Sequence, residues 1–261
     1  MQMLPRWLLA AAAILILYGC SRPTEPHDWF PLQPGLEWQY QVTEQSGDQK
    51  TVRRFSIETI DVRLLGEFSA IENLDLSDLV AATEARDASE LEVFTRRSSD
   101  GTDYYYVAGE EGLLQLGKRT LIEKQPRWYS TARLVMPWLE EMVHGISWNL
   151  PTLPYLIHST QGHVAWNRSS NGFELVYELV EEGITVETVA GTFDDCILLE
   201  GRALIGLYAD PKLGYQEVEV VQREWYAKGV GLLRLEREEP LDMMMFKGGS
   251  LAFELIRFTS R

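Results

Sequence analysis

Residues able to carry acid–base, nucleophilic or metal chemistry are few in this chain, and their spacing does not suit it. The four histidines are His27, His144, His158 and His163. His158 and His163 stand five apart across the turn-like Gln161-Gly162, and a tetrahedral metal site needs one or two further ligands. Asp194, Asp195 or Cys196 could supply them only through the fold, so no metal is expected. A nucleophilic serine needs a base and an orienting acid. The nearest match to a nucleophile elbow, Gly145-Ile146-Ser147-Trp148-Asn149, has asparagine where the second glycine belongs. No phosphate loop, dinucleotide fingerprint or H-E-x-x-H occurs. Carboxylate pairs recur at Glu110/Glu111, Glu181/Glu182, Asp194/Asp195 and Glu238/Glu239. Neighbours on a strand face opposite sides, which predicts a solvated surface rather than an acid–base pair. The expectation is a non-catalytic protein with no catalytic residues and no cofactor, an unrecognised hydrolase being the remaining enzymatic reading.

One residue does have a covalent chemistry written around it. The chain opens MQMLPRWLLAAAAILILYGC, with Arg6 in a positive n-region and a twelve-residue apolar run from Trp7 to Tyr18. A membrane-spanning helix needs roughly 20 apolar residues and an export signal about 7–15. Leu17-Tyr18-Gly19-Cys20 resembles a lipobox, at which bacteria acylate a cysteine and cut before it; Tyr18 is bulkier than is usual there. The reading is a lipoprotein signal peptide at 1–19, lipidation of Cys20, and a tether over 20–31. An ordinary cleaved signal and an uncleaved short anchor are the alternatives. Three acyl chains at about 0.8 kcal/mol per buried methylene would make release from the membrane negligible. Ser21 after the cysteine resembles the enterobacterial outer-membrane sorting pattern, which implies an outer-membrane protein facing the periplasm.

The formal charge is −15, and near −16 once Arg6 is removed. Charge of this sign spread along the chain excludes nucleic acid as a partner and opposes docking on anionic headgroups. Of the two cysteines only Cys196 is left if Cys20 is acylated, so no internal disulfide is expected. Cys196 sits in apolar sequence with no basic neighbour, which predicts a buried, inert thiol.

Residues 32–261 read as a single β-rich domain. Strand-like runs occupy Glu37–Glu44, Thr51–Leu64, Glu90–Arg96, Asp103–Val107, Gly112–Leu116, Gly162–Asn167, Phe173–Val180, Thr185–Val189, Thr192–Ile205 and Gln216–Ala227. Turns are expected at Asp100-Gly101, Glu111-Gly112, Glu182-Gly183 and Lys247-Gly248-Gly249. The last would join Met243–Phe246 to Ser250–Phe258. Helical signal is confined to Ser77–Arg86 and Arg133–Val143, the second interrupted by Pro137. Gly145–Ile157, with Pro151 and Pro154, is expected to cross between two parts of the domain. Gly35-Leu36-Glu37-Trp38 is echoed by Gly145-Ile146-Ser147-Trp148, which raises the prospect of two similar halves.

Three stretches are more specified than the rest: Phe30–Tyr40 (FPLQPGLEWQY), Glu187–Cys196 (ETVAGTFDDC) and Glu224–Leu233 (EWYAKGVGLL). In this order they resemble the "PL..G..W.Y", "AGTF..C" and "W.A.GVGL" segments of a broad group of uncharacterised bacterial secreted proteins and lipoproteins. The resemblance spans residues 30 to 233. It implies a mainly β fold, a curved antiparallel sheet or half-barrel with few short helices, and no catalytic residues. Trp38, Tyr40, Trp225 and Tyr226 are the candidate core or cleft-lining aromatics. The expected function is a structural or protein-interaction module of the cell envelope. The alternative is a carrier or sensor holding a lipid or other apolar ligand in an aromatic-lined cleft.

Overall fold

Residues 28–69, 71, 74, 87–138, 145–160, 172–210 and 214–260 are described by a computed structural model. Among them are thirteen strands: β1 (Leu36–Ser46), β2 (Gln49–Leu64), β3 (Glu92–Ser98), β4 (Asp103–Ala108), β5 (Gly112–Arg119), β6 (Arg127–Pro137), β7 (Ser147–Thr152), β8 (His158–Ser159), β9 (Phe173–Thr188), β10 (Gly191–Asp210), β11 (Gly214–Ala227), β12 (Gly231–Asp242) and β13 (Phe246–Ser260). Their order is β6-β5-β4-β3-β2-β1-β13-β12-β11-β10-β9-β7, all antiparallel, with β8 paired to the start of β13. The sheet curls almost into a barrel. Apart from β1 against β13, each strand along this order pairs with one adjacent to it in the chain, short β8 aside. The open seam lies between β6 and β7, where the Trp148 indole donates to Val135 O at 3.3 Å.

This order divides the barrel into two six-strand meanders, β1–β6 and β7 with β9–β13. The echoed tetrapeptides open the first strand of each. Gly35 and Gly145 both have positive φ, 89° and 94°, and Trp38 and Trp148 are both buried.

Alternation also sets up two ends. The near end holds the entry of the chain at Asp28 and the β2–β3, β4–β5, β9–β10 and β11–β12 connections. The far end holds the β1–β2, β3–β4, β5–β6, β10–β11 and β12–β13 connections. Leu36, Trp38, Tyr40 and Val42 of β1 point inward at period two, and all are buried. Inward residues of many strands form the main core, which includes Trp29, Leu113, Trp148, Leu175, Tyr177 and Tyr226. A separate apolar cluster lies on the opposite face of β3–β6. There Val93, Tyr105, Val107 and Trp128 pack under Leu65, Phe68 and Leu91 of the β2–β3 connection.

Four expectations require correction. Gly248 and Gly249 lie inside β13, not in a turn; the turn falls at 243–245, where Met243 N bonds Phe246 O at 2.9 Å. A Cβ at Gly248 would overlap Glu239 O and one at Gly249 would overlap Gln45 O, so the glycines admit the two flanking strands. Gly183, at φ 70°, forms no turn, and β9 runs through it with a register shift opposite β10. Residues 133–137 of the expected second helix continue β6, because the strand's pairing to β5 supersedes a weak helical spacing. Gly145–Ile157 contains β7, which carries Pro151 because it bonds to β9 on one side only. The expected helix at Ser77–Arg86 and the expected strand at Gly162–Asn167 lie outside the described residues.

Candidate functional site

The three specified stretches meet at the near end of the barrel. The Trp38 indole donates to Val230 O at 2.5 Å, and the Tyr40 hydroxyl donates to Leu232 O at 3.0 Å. The first stretch is thus bonded to the third past the intervening β13. Gly231, at φ 91°, lets Pro31 sit close: a Cβ there would stand 3.2 Å from Pro31 Cδ. Gly229 N bonds Asp28 O at 2.7 Å. Trp29 and Pro31 are already buried, so the packed domain begins before the boundary expected at residue 32. The second stretch arrives on the β9–β10 hairpin, whose tip bonds β13 through Ala190 N and Leu255 O at 3.2 Å. Asp195, at φ 53°, makes the bend that turns Cys196 inward. The Cys196 thiol is fully enclosed and donates to Phe193 O at 3.3 Å, and burial pushes its pKa up. A thiol held this way is unreactive.

Above this floor the interior carries charge. Arg96 of β3 is buried, and its guanidinium lies over Trp38 at 4.1 Å and Phe30 at 4.2 Å. Such stacking covers its faces and leaves its N–H edge for acceptors. Among the described residues no carboxylate pairs with it, and its Nε is enclosed without an acceptor. Burial pushes its pKa down, partly offset by Tyr106, Tyr40 and Tyr226. Burial likewise pushes the phenols of Tyr40 and Tyr106 well up, so both stay protonated.

Across the interior, Glu224 of β11 accepts from the hydroxyls of Tyr177, at 2.7 Å, and Tyr226, and from the Gln222 amide. Gln222 in turn accepts from Arg237 of β12 at 2.9 Å. Arg237 and Glu239 form a fully buried ion pair at 2.8 Å. Glu239 also takes the backbone N–H groups of Tyr155, Leu156 and Ile157 at 2.9, 2.8 and 3.0 Å. This continuous polar chain is built of donors and acceptors already matched to one another. It holds no serine or cysteine beside a base, and no cluster among the described residues could ligate a metal.

Of the aromatics singled out from sequence, Trp38, Tyr40 and Tyr226 are enclosed in this interior. Trp225 is half-buried, with the Arg234 guanidinium 5.8 Å from its ring. His158 is half-buried and its Nδ1 contacts Leu156 O at 2.9 Å. Cys20, His27, His144 and His163 lie outside the described residues. The carboxylate pairs behave as expected only in part: Glu238 is exposed, but Glu239 is fully buried against Arg237. Arg96, Glu224, Arg237 and Glu239 are not legible as interior groups from local sequence, because a charged side chain is ordinarily a surface one. Strand phase could have found two of them, since Leu233, Leu235, Arg237 and Glu239 alternate on one face of β12.

The far end differs in character. Leu121 and Ile122 of the β5–β6 loop, Tyr208 and Tyr215 flanking the β10–β11 turn, and Met244 are all exposed, Ile122 at 92%. Tyr208 and Tyr215 pack edge to face at 5.4 Å. Beside the β1–β2 turn an open groove of about 1190 Å³ runs past Asp48, His158, Asp242 and Lys247.

No family model matches the chain, and no curated protein matches it. Two solved structures are similar in fold. One, provisionally described as a lipoprotein of Parabacteroides distasonis, is 13% identical, with 88% of this chain and 98% of that one covered and a TM-score of 0.43. The other, provisionally described as an exported protein of Bacteroides fragilis with a YmcC-like fold, is 14% identical, with 89% and 99% covered and a TM-score of 0.43.

Proposed function

We propose that this chain is a lipid-anchored protein of the bacterial envelope whose barrel is a non-catalytic module that binds a protein partner through its far rim. The observation that carries the reading is the contrast between a filled interior and an apolar rim. Trp38, Tyr40, Tyr177 and Arg237 are enclosed in the interior, whereas Leu121, Ile122, Tyr208, Tyr215 and Met244 are exposed on the connections of the far end. Side chains as apolar and as exposed as Ile122, at 92%, and Met244, at 81%, are what an interface would cover. A lipid carrier would need the interior rings to line open space, and Trp38 and Tyr40 are instead enclosed by protein.

The anchor fits this polarity. Acylated Cys20 would be joined to Asp28 by the seven residues Ser21–His27, at most about 25 Å when extended. That tether holds the near end at the membrane and turns the far rim outward. The group resemblance of the three stretches points to the same class of exported protein.

Replacing Cys20 with serine is expected to move the protein out of the membrane fraction; unchanged fractionation overturns the anchor. A photo-crosslinking residue at Ile122 or Tyr215 is expected to capture one partner of defined mass, and the same residue at Val189, exposed on the near end, is expected to capture none. Equal capture at both ends overturns the rim.

A further inference from the structure

Two arginines and two glutamates balance in charge in the interior, but their hydrogen bonding leaves one group over. Arg237 is paired with Glu239, and the oxygens of Glu224 are occupied by Tyr177, Tyr226 and Gln222. Arg96 has no such partner among the described residues. A buried guanidinium with unmatched N–H groups is costly, because its lost hydration is not replaced.

The unmatched atoms are not scattered. Among the described residues, the buried side-chain atoms without a hydrogen-bond partner are Thr59 Oγ1, Asp61 Oδ1, Thr95 Oγ1 and Arg96 Nε. All four lie at one irregularity, where the β2–β3 register shifts between Thr59 and Asp61. Thr59 is the direct partner of Arg96 across that pair, and Asp61 of Thr95. Direct partners in an antiparallel pair share a face with their Cβ atoms about 4.5–5.5 Å apart. An unmatched hydroxyl and an unmatched guanidinium edge therefore stand side by side on the inner wall. The phenol of Tyr106, on the strand next to β3, belongs to the same surroundings. Bulges re-aim side chains and are common beside binding sites.

We propose that Arg96 and Thr59 form an interior site for a small oxyanion, a carboxylate or a phosphate group. The rings of Trp38 and Phe30 flank the guanidinium in cation–π contact, and a guanidinium carries parallel N–H groups in the fork that matches two anion oxygens. Thr59 supplies a third donor from the adjoining strand. Phe30 belongs to the segment that leads from the tether, so occupancy of the site bears directly on how that segment is seated. The site is independent of the anchor and of the far rim.

The test uses the full chain in detergent micelles, with sodium acetate or inorganic phosphate titrated against chloride at matched ionic strength. Thermal midpoint and tryptophan fluorescence are the readouts, the second including Trp38 among the chain's eight tryptophans. A saturable rise in midpoint with either anion is expected: acetate alone assigns a carboxylate, phosphate alone a phosphate, and both a shared oxyanion edge. Arg96→Lys, which keeps the charge but loses the fork, is expected to weaken binding at least tenfold. Thr59→Val, close to isosteric, is expected to weaken it about tenfold. Arg96→Met, whose chain fills the space between the rings, is expected to abolish the response. Should Arg96→Met fail to fold, the lysine and valine variants carry the test. Absence of a saturable response to both anions, or equal responses in wild type and the variants, overturns the site.

Discussion

The replacement Glu239→Gln tests whether the buried ion pair is a structural joint or an incidental contact. Glu239 Oε1 accepts from Arg237 Nε at 2.8 Å and Tyr155 N at 2.9 Å, and Oε2 accepts from Leu156 N and Ile157 N at 2.8 and 3.0 Å. A glutamine amide can serve only one of these pairs, whichever way it turns; its NH2 group faces two donors, and the Arg237 charge loses its counter-ion. Breaking a buried pair from one side costs about 3–5 kcal/mol. At about 2–4 °C per kcal/mol for a domain of this size, the midpoint should fall by roughly 6–20 °C. Urea unfolding followed by tryptophan fluorescence gives the free energy, and amide exchange at Leu156 and Ile157 localises the loss. Arg237→Met leaves Glu239 still bonded to three backbone N–H groups, so it should cost about half as much. A Glu239→Gln protein within about 1 kcal/mol of wild type would refute the reasoning, as would a costlier Arg237→Met.

Two further outcomes follow from the interior and from the strands that enclose it. Gly248→Ala should destabilise by about 1–3 kcal/mol through overlap with Glu239 O, whereas Gly206→Ala, with nothing within 4 Å of its Cβ, should be neutral or stabilising by up to about 1 kcal/mol; equal melting points for the two variants would count against the close approach. Stability should hold up to about pH 10, where free tyrosines ionise, and then fall as pH rises towards the raised values of Tyr40, Tyr106, Tyr177 and Tyr226. Each such phenol that ionises only on unfolding adds about 1.4 kcal/mol per pH unit to the decline. Absorbance at 295 nm should therefore rise together with the loss of near-ultraviolet circular dichroism, and ionisation of these tyrosines in a still-folded barrel would contradict their burial.

The strand content could be read from the residues because period-two alternation is a local property. Trp38 and Tyr40 show it, and the glycine turns at Gly101 and Gly112 are equally local signals. What failed depended on partners far away in the chain. Gly248-Gly249 looks like a turn to any local reading; only the proximity of Glu239 O and Gln45 O makes it a strand. Pro151 and Pro154 argue against a strand until β7 is known to bond on one side. Convergence of the three specified stretches could not be foreseen, since it depends on β1 meeting β13. The charged interior was missed for a different reason. An arginine or glutamate is cheap at a surface and expensive inside, so each was assigned outside unless a partner adjoined it, and Glu224 finds its partner in Tyr177, 47 residues away.

The pairing of β1 with β13 also governs the order in which this molecule can assemble. The indole of Trp38 reaches a carbonyl 192 residues further along the chain, so the join between first and last strands has a very high loop-closure cost and must come late in folding. Until the last strand arrives, the β1 edge is an unpaired row of N–H and C=O groups open to other chains. Both ends of the barrel sequence lie at the near end, and among the described residues β6 and β7 are the edge strands that share no ladder. A circular permutant that links Ser260 to Asp28 and opens the chain between Trp138 and Gly145 would turn the long-range join into a hairpin. It should reach the same barrel faster.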